Sequence, residues 1–446
     1  MRMVSSALAA LLMTVAGASV TWAQPLTSAP STLPPIQIVG AEQVAPIAVS
    51  ALKNIGGDDD HRVSEVFAAT LDRDLKLSGY FRLISPQAYV EDAQASGYNL
   101  GEFNFADWSS INAEFLVKGS AKRDGGQVLI EALLFDVGQQ RRMMGEKYTG
   151  APNEVGEMAR RFADAVMESV TGTRGPFASR LAFVSTHGGR FKEVYTQWLD
   201  GAGENFRVTD NPTINLFPSF DKSGSHLLYL SYKSMSPSLY LADTNQRVET
   251  RIQSAMGMAV GGALTPDDRI VGAFSRGGAT NLELLDGGGA EISRLTDDHA
   301  INVSPSVCSG GSQLVFTSDR AGTPQIYVMG LDGGTPQRVT FKGDYNTAPA
   351  FSPDCKKIAY ETRTGGGIFQ IMVIGVGGGA ARQLTSEGSN EGPSWSPDGR
   401  YLAFSSRRGG RSRIYMMLAA DGKITGSLTE GDGNDTNPSW SWWIGG

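Results

Sequence analysis

Histidine and cysteine are scarce in this sequence, which limits the chemistry that the chain can carry. Among 446 residues there are two cysteines and four histidines, at His61, His187, His226 and His299. The histidines lie in separate segments and no Gly-x-Ser-x-Gly motif accompanies them, so a nucleophilic triad would lack its usual nucleophile elbow. The sequence therefore predicts a protein that is not an enzyme, with no catalytic residues and no cofactor.

Positive charge and long apolar runs are also in short supply. Lys and Arg number 39 against 46 Asp and Glu, which gives a formal net charge of -7. Nucleic acids and anionic lipids require a basic surface, so neither is expected to bind. No segment after residue 20 approaches the roughly 20 apolar residues that span a bilayer. Membrane contact is therefore expected only through partner proteins.

The beginning of the chain resembles an export signal. Arg2 precedes an apolar stretch at residues 7–20, and a small-residue cleavage site ends at Ala23. Residues 1–23 are therefore predicted to be a signal peptide, and the mature protein is expected in the periplasm if the cell is Gram-negative. Residues 24–35 contain four prolines among small polar residues. That composition predicts a flexible arm.

Residues 36–172 alternate between strand and helix patterns and predict a small α/β domain. Gly125 and Gly126 separate two apolar runs, as in a hairpin, and Asn153 is placed to cap a last helix that has one apolar stripe. The predicted elements are strands at Ile36–Val39, Ile47–Val49, Phe81–Ile84, Phe115–Ala121 and Val128–Phe135, a helix through Val63–Leu75, a mostly helical stretch before Phe115 and a helix from Asn153 to Val170.

A repeat of about 44 residues fills the remaining segment, 173–446. Its clearest copy is Gly-Pro-Ser-Trp-Ser-Pro-Asp-Gly at residues 392–399, and copies of the frame start at positions 218, 262, 305, 349, 393 and 438. Each copy has four short β-like runs, A to D, separated by turns, as in a propeller blade. The last copy holds only strand A, whereas Arg180–Ser185 matches a strand B without its strand A. The two ends complete one blade, which predicts a closed six-bladed β-propeller.

Three features together resemble the TolB family. They are the repeated Pro-Ser-Trp-Ser-Pro-Asp-Gly frame, the run at residues 316–327 and the junction Thr-Gly-Thr-Arg-Gly-Pro-Phe at residues 171–177. The resemblance covers nearly the whole chain from residue 36. It is interrupted where Gly262 replaces the proline of the frame and where Cys-Ser-Gly-Gly at residues 308–311 replaces Ser-Pro-Asp-Gly.

The resemblance implies a non-enzymatic periplasmic scaffold of the Tol-Pal system. Its propeller is expected to bind a Pal-like peptidoglycan-associated lipoprotein. Its N-terminal arm and domain are expected to engage a TolA-like inner-membrane protein, with Gln24, Pro25 and Leu26 as candidate contacts. Such a scaffold keeps the outer membrane attached during cell division, and bacteriocins and filamentous phages exploit it to enter cells. The alternative is an envelope enzyme or a carbohydrate-binding propeller with a ligand in the central channel.

Strand order predicts which face of the propeller is free to bind. The D–A and B–C loops share one face and the Pro-Asp-Gly turns between strands A and B lie on the other. The N-terminal domain joins the ring at Arg180, the start of a strand B, so it should sit on the Pro-Asp-Gly face. The residues just before each strand A would then rim the open channel mouth and form the Pal-like partner site: Asn215, Leu216, Met258, Asn302, Val303, Tyr345, Asn346, Asn390, Glu391, Asp435 and Thr436.

The cysteines and the aromatic frame residues each allow two interpretations. Cys308 and Cys355 fall in neighbouring blades of an exported chain and permit a disulfide, with two free thiols as the alternative. Trp395 and Trp440 occupy the same frame position. Packing between blades is favoured for them over a stacking platform for sugars or bases.

Clusters of charge are likewise ambiguous. Residues 58–61 and 432–437 contain metal-ligand types, but the first suits a solvated loop and the second lacks the full calcium-loop pattern, so no metal site is predicted. A basic residue follows strand B in five blades, which suggests either a cationic ring or salt bridges to loop acids: Lys233, Arg276, Arg320, Arg363 and Arg407 or Arg408.

Overall fold

One mixed β-sheet near the N-terminus and six four-stranded antiparallel sheets after it make up the fold. The computed structural model describes residues 44–56, 61–203, 205–246, 248–252 and 257–444. The predicted signal peptide, the arm with Gln24, Pro25 and Leu26, the strand Ile36–Val39 and the acids Asp58, Asp59 and Asp60 lie outside these residues. No helix within the described ranges is both long and apolar enough to cross a bilayer.

Within the described residues, the N-terminal domain has nine main elements. They are β1 Ala45–Val49, β2 Lys53–Asn54, α1 His61–Ser78, β3 Phe81–Leu83, α2 Phe105–Ser110, β4 Phe115–Asp124, β5 Gln127–Asp136, β6 Arg141–Gly150 and α3 Val155–Thr171. The sheet order is β3-β1-β4-β5-β6, with β2 paired to β4. Strand β1 runs parallel to β3 and β4, whereas β4, β5 and β6 form an antiparallel meander.

Helices α1 and α3 cover one face of this sheet and α2 the other. Phe67 and Leu71 of α1 meet Phe162 of α3 in the larger core, and the Phe67 and Phe162 ring centroids are 5.9 Å apart. Trp108 of α2 packs with Phe135 on the opposite face. The apolar residues of α1 recur at i, i+4 and i+8, which is why they form a single buried stripe.

Two expectations for this domain are wrong, and one strand is absent from the prediction. Asn153 does not cap α3; it lies in a short 3-10 turn, and the Glu154 carboxylate accepts the Ala151 N–H at 2.7 Å just before the helix. A carboxylate there is also favoured by the helix dipole. The stretch before β4 is largely irregular, with only α2 and a 3-10 turn at Pro86–Ala88. Strand β6 was not expected.

The propeller has six blades, as its repeat predicts. Blade 1 is β30 Asp435–Trp443, β7 Ser179–Ser185, β8 Glu193–Trp198 and β9 Phe206–Arg207; blade 2 is β10 Asn215–Phe220, β11 His226–Ser234, β12 Ser236–Asp243 and β13 Glu249–Ile252. Blade 3 is β14 Met258–Leu264, β15 Ile270–Arg276, β16 Ala279–Leu285 and β17 Glu291–Arg294; blade 4 is β18 Asn302–Val307, β19 Gln313–Ser318, β20 Gln325–Gly330 and β21 Gly333–Arg338. Blade 5 is β22 Asn346–Phe351, β23 Lys357–Arg363, β24 Phe369–Gly375 and β25 Gly378–Gln383; blade 6 is β26 Ser389–Trp395, β27 Tyr401–Gly409, β28 Arg411–Leu418 and β29 Ile424–Ser427.

The ring closes because the last strand pairs with the first strand of the array. In blade 1, Trp440 of β30 lies opposite Leu181 of β7, so a C-terminal strand A completes the sheet and removes its free inner edge. The serine of the repeated frame joins successive A strands, because its hydroxyl accepts a backbone N–H from the next blade. These bonds run from Leu264 to Ser219, Phe351 to Ser306, Trp440 to Ser394 and Phe220 to Ser439, at 3.4, 3.2, 2.9 and 3.3 Å.

The N-terminal domain sits on the face of the Pro-Asp-Gly turns. Tyr401, directly after one such turn, donates its hydroxyl to the Ser78 carbonyl at the end of α1, at 3.0 Å. Arg400 donates to the Thr171 hydroxyl at 2.7 Å and to the Thr173 carbonyl at 3.1 Å. The opposite face, formed by the D–A and B–C loops, is called the open face below.

Candidate functional site

The six A strands surround a central channel of about 600 Å³. In five blades the residue before the frame's proline has a positive φ, and the A–B pairing shifts register there, which makes a ring of β-bulges: Phe217 (54°), Ser304 (52°), Ala348 (48°), Gly392 (62°) and Asn437 (51°). Bulges re-aim side chains and end regular pairing. Here the ring separates the first residues of each strand A from the repeated frame that follows them.

Near its open mouth the channel wall carries charge on one side only, whereas Lys222 of blade 2 lines the channel towards the Pro-Asp-Gly face. One position before the bulge, the six blades carry Leu216, Val260, Val303, Thr347, Glu391 and Thr436. Glu391 is the only ionisable member of that ring. Each residue of that ring in blades 4, 5 and 6 lies opposite a strand B residue, and these strand B residues are Thr317, Glu361 and Ser405.

Glu361 connects blades 5 and 6 at the channel wall. Its carboxylate accepts the Gly392 N–H at 2.8 Å. Burial raises the pKa of Glu361 to about 7, the Gly392 hydrogen bond opposes that rise, and the Glu391 charge adds to it. A carboxyl group with this pKa changes charge near neutral pH, so the acidity of the channel mouth depends on pH.

The open face carries a group of exposed apolar side chains, here called the apolar rim. Met235 at the tip of the β11–β12 loop is fully exposed and Phe341 in the loop before β22 is 73% exposed. The members come from loops and strand ends of blades 1 to 5: Phe191, Ile214, Phe217, Tyr232, Met235, Met258, Ile301, Phe341 and Ile368. Single exposed apolar residues are common on proteins, but many on one face indicate a protein interaction site.

Burial divides the eleven residues predicted to rim the mouth. Met258 and Glu391 are exposed, and four residues are half-buried: Leu216, Val303, Tyr345 and Thr436. Val303, Tyr345, Glu391 and Thr436 line the channel. The remaining five are buried and do not rim it, so the prediction is wrong for them: Asn215, Asn302, Asn346, Asn390 and Asp435.

The four buried asparagines hold loops in place. Asn390 donates from Nδ2 to the Gln370 side-chain oxygen and to the Glu387 carbonyl, both at 3.0 Å. Asn302 donates in the same way to the Thr280 carbonyl at 3.0 Å and accepts from Arg320 at 2.8 Å. Their amides thus join strand A to the D–A loop and to the preceding blade, and buried polar groups require such partners.

The sequence analysis did not identify the apolar rim, because a sequence does not show which apolar side chains are exposed. Met235 stands between two serines in a tight loop, and Phe341 follows Thr340 after a strand D. Large apolar residues at turn positions, where Gly, Asn and Asp are usual, are the signal that could have identified them.

The cysteines, the frame tryptophans and the acidic loop before β30 each have a defined structural role. Cys308 and Cys355 are joined in a disulfide between blades 4 and 5, with Cα atoms 5.4 Å apart. Trp395 and Trp440 are each 7% exposed and belong to apolar clusters, which supports packing. In the loop before β30, Arg413 donates to the Gly433 carbonyl and lies 3.5 Å from the Asp435 carboxylate. Arginine thus uses oxygens that a cation would need.

Basic residues after strand B pair within the propeller. Lys233 contacts Glu249 and lies 3.8 Å from the Tyr240 ring centroid. Arg320 lies 3.0 Å from the Asp298 carboxylate. These contacts favour salt bridges over a free cationic ring for these two blades.

Comparisons with known proteins agree with this architecture. The profile of the TolB amino-terminal domain matches residues 35–143, and that of the TolB beta propeller domain matches residues 167–444. A Tol-Pal system protein TolB from Desulfosudis oleivorans is 40% identical over 253 residues, which are 56% of this chain and 57% of that protein. One from Bordetella pertussis is 30% identical over 64% of this chain and 63% of its own length. The chain thus matches about three-fifths of the length of these relatives.

A solved structure supports the fold along nearly the entire chain. The crystal structure of TolB from Acinetobacter baumannii aligns with 90% of this chain and 97% of its own, with a TM-score of 0.76 and 24% sequence identity. Because the propeller profile alone spans more than half of the residues, and the amino-terminal profile precedes it in the expected order, the chain belongs to the TolB family.

Proposed function

We propose that this protein is a non-enzymatic periplasmic scaffold of a Tol-Pal system and that its open face binds a Pal-like lipoprotein. Two relatives carry the name Tol-Pal system protein TolB, which supports the assignment to that system. The role that follows is to link the outer membrane to the envelope during cell division.

The apolar rim is the observation that carries this proposal. Met235, Phe341 and Met258 project from the face that the N-terminal domain leaves uncovered. Burying such side chains in a partner is favourable at about 25 cal/mol per Å², and exposed aromatic and methionine side chains are typical anchors of protein interfaces. Thr436, Tyr345 and Glu391 at the channel mouth supply polar contacts beside them.

The proposed second partner is a TolA-like inner-membrane protein. The candidate contacts Gln24, Pro25 and Leu26 precede the described residues, so this part of the proposal depends on the family resemblance. A mature chain that starts at Ile36 should lose binding to the TolA-like protein and retain binding to the Pal-like lipoprotein.

Calorimetric titration of the full chain with the soluble domain of the Pal-like lipoprotein from the same organism tests the open-face site. The variant Met235→Glu/Phe341→Glu should bind at least tenfold more weakly, a loss of about 1.4 kcal/mol, because two carboxylates would be buried in an apolar contact.

Val248→Glu is the matched control. Val248 is 59% exposed but lies in the β12–β13 turn, on the face of the N-terminal domain, so this variant should bind normally. Equal binding by the rim variant and the wild type, with both folded, would remove the open face as the site. Turnover of a sugar or peptide by the purified chain would favour the enzyme alternative.

A further inference from the structure

A buried ion pair joins the N-terminal domain to the propeller. Arg160 of α3 donates from Nη2 and Nε to Asp200 Oδ1, at 2.8 and 3.2 Å, and Asp200 lies in the β8–β9 turn of blade 1. The Arg160 guanidinium also lies 4.6 Å from the Trp198 ring centroid. Arg73 of α1 contacts the other Asp200 oxygen at 3.4 Å. Two arginines of one domain therefore bind a single carboxylate of the other.

Asp74 is near enough to this pair for the Arg160 and Asp200 charges to act on it, and its side chain has no hydrogen-bond partner among the described residues. Asp74 is fully buried on α1. A buried ionised carboxylate without a partner is strongly unfavourable. Asp164 of α3 differs, because its oxygens accept the Phe177 and Ala178 N–H groups at 2.6 and 3.3 Å.

The charged groups that act on Asp74 come from three elements. They are Arg73 on its own helix, Arg160 and Asp164 on α3, and Asp200 on the propeller. Burial raises the pKa of Asp74 well above its usual value, the Asp200 and Asp164 charges raise it further, and the two arginines oppose the rise. Because both arginines are bound to Asp200, the surroundings of Asp74 favour its neutral form while the domains are in contact.

We infer that Arg160 exchanges its partner between Asp200 and Asp74, so that the contact between the two domains is controlled by one proton. In the closed arrangement seen here, Arg160 binds Asp200 and Asp74 is protonated. In the open arrangement, Arg160 leaves Asp200, Asp74 releases its proton to solvent, and the Asp74 carboxylate pairs with Arg160 inside the N-terminal domain. Arginine stays charged throughout, so opening releases one proton and no other charge changes.

The direction of the pH effect follows from that proton. The pKa of Asp74 is lower in the open arrangement than in the closed one. At pH values between these two pKa values, the closed arrangement binds one proton more than the open one. Lower pH therefore favours the closed arrangement, and opening becomes easier as pH rises. Over that range the ratio of open to closed chains increases about tenfold for each pH unit.

Electron-spin distance measurement on the full chain tests this inference. Both native cysteines are in the disulfide, so L100C and I292C place one label on each domain, at residues that are 58% and 52% exposed. In the wild type the long-distance population should rise at least tenfold between pH 5 and pH 8. Asp74→Asn should remain closed at both pH values, because its neutral amide cannot replace Asp200 as the partner of Arg160. Asp200→Asn should be open at both.

Asp72→Asn is the matched control. Asp72 lies on the same helix, and burial raises its pKa to about 6. The partner exchange of Arg160 does not involve Asp72, so its variant should respond to pH as the wild type does. A second readout is hydrogen exchange at the Ala202 amide, which donates to Asp200 Oδ1 at 3.1 Å. After correction for intrinsic exchange rates, the protection of the Ala202 amide in the wild type should fall between pH 5 and pH 8.

The inference is overturned if the wild-type distances and Ala202 protection are independent of pH, or if Asp74→Asn responds like the wild type.

Discussion

The indole N–H of Trp440 donates a 2.8 Å hydrogen bond to the hydroxyl of Ser179. Trp440 belongs to the last strand of the chain and Ser179 begins the first strand of the propeller, so this bond helps to close the ring. Removing the indole should destabilise the fold. Trp440→Ala is expected to lower the free energy of unfolding by about 3 to 5 kcal/mol, and Trp440→Phe, which keeps most of the apolar contact, by about 1 kcal/mol. Urea unfolding measures both.

Loss of an exposed aromatic side chain should not have the effect that loss of Trp440 has. Phe341→Ala removes a large apolar side chain that is exposed, so the free energy of unfolding of this variant should match that of the wild type. Equal unfolding midpoints for Trp440→Ala and Phe341→Ala would mean that the C-terminal strand does not stabilise the ring.

The buried asparagines predict a loss of stability without a loss of binding. Asn390→Ala would leave the Gln370 side-chain oxygen without the 3.0 Å donor that it has here, which should cost about 1 to 3 kcal/mol. Affinity for the Pal-like lipoprotein should change less than twofold at a temperature where the variant is folded. Glu391→Ala, one residue along and exposed, should show no such loss of stability. If the Asn390→Ala variant is stable but no longer binds the Pal-like lipoprotein, Asn390 belongs to the partner site after all.

The disulfide predicts a stability that depends on reduction. Cys308 and Cys355 are 47 residues apart, and closing a loop of that length stabilises the folded state by about 4 kcal/mol on the chain-entropy account. The Cys308→Ser/Cys355→Ser variant should therefore melt at a lower temperature than the oxidised wild type, and a reducing agent should not change its melting temperature. Identical melting of the oxidised wild type and the variant would show that the bridge contributes no stability.

The blades could be predicted from the sequence because each depends on local turn chemistry. The frame places proline, aspartate and glycine at the same turn in successive copies, and Ser396 and Asp398 hydrogen-bond within that turn at 2.5 Å. A repeat with this spacing is compatible with few folds besides a propeller. Ring closure also followed from the sequence, because strand A is missing at one end of the array and present at the other.

The N-terminal domain was harder to predict because its less regular parts depend on tertiary contacts. Strand β6 has the sequence RRMMGEKYTG and is mostly half-buried or exposed, so it has no clear apolar alternation. Its pairing with β5 decides its structure. The stretch before β4 was expected to be mostly helical, yet few of its residues form helices, and Trp108 instead anchors it in a second core.

The candidate site could be predicted only as a face. Strand order placed the N-terminal domain on the correct side, because a strand B must start at the Pro-Asp-Gly face. Individual residues could not be assigned, since Asn390 and Glu391 are neighbours in sequence while one is buried and the other exposed. Successive side chains of a strand point to opposite faces, and the Asn390 side chain points to the face that contacts Gln370 of the neighbouring blade. The sequence of one repeat does not contain that contact.

Glu361 predicts how stability depends on pH. Its pKa rises from 4.5 in its ordinary state to about 7 in the folded protein, chiefly because of burial. The unfolded chain therefore loses this proton at a lower pH than the folded chain does. The contribution of Glu361 to stability is present below about pH 4.5, decreases as the pH rises to about 7 and is level above that. Glu361→Gln should remove this dependence and be more stable than the wild type at pH 8 by about 1 to 3 kcal/mol.

Glu283 supplies a control for Glu361, because burial also raises the pKa of Glu283 to about 7. Glu283→Gln should change the pH profile in the same direction while leaving the Glu361 contribution intact, and the double variant should show the sum, since the two residues lie in different blades. Glu391→Gln removes the charge that adds to the effect of burial on the pKa of Glu361, so the decrease in stability should end at a lower pH than in the wild type. Urea unfolding at pH 4, 6 and 8 measures all four variants. If Glu361→Gln and the wild type differ equally at the three pH values, Glu361 does not titrate in the channel and the mouth keeps a constant charge.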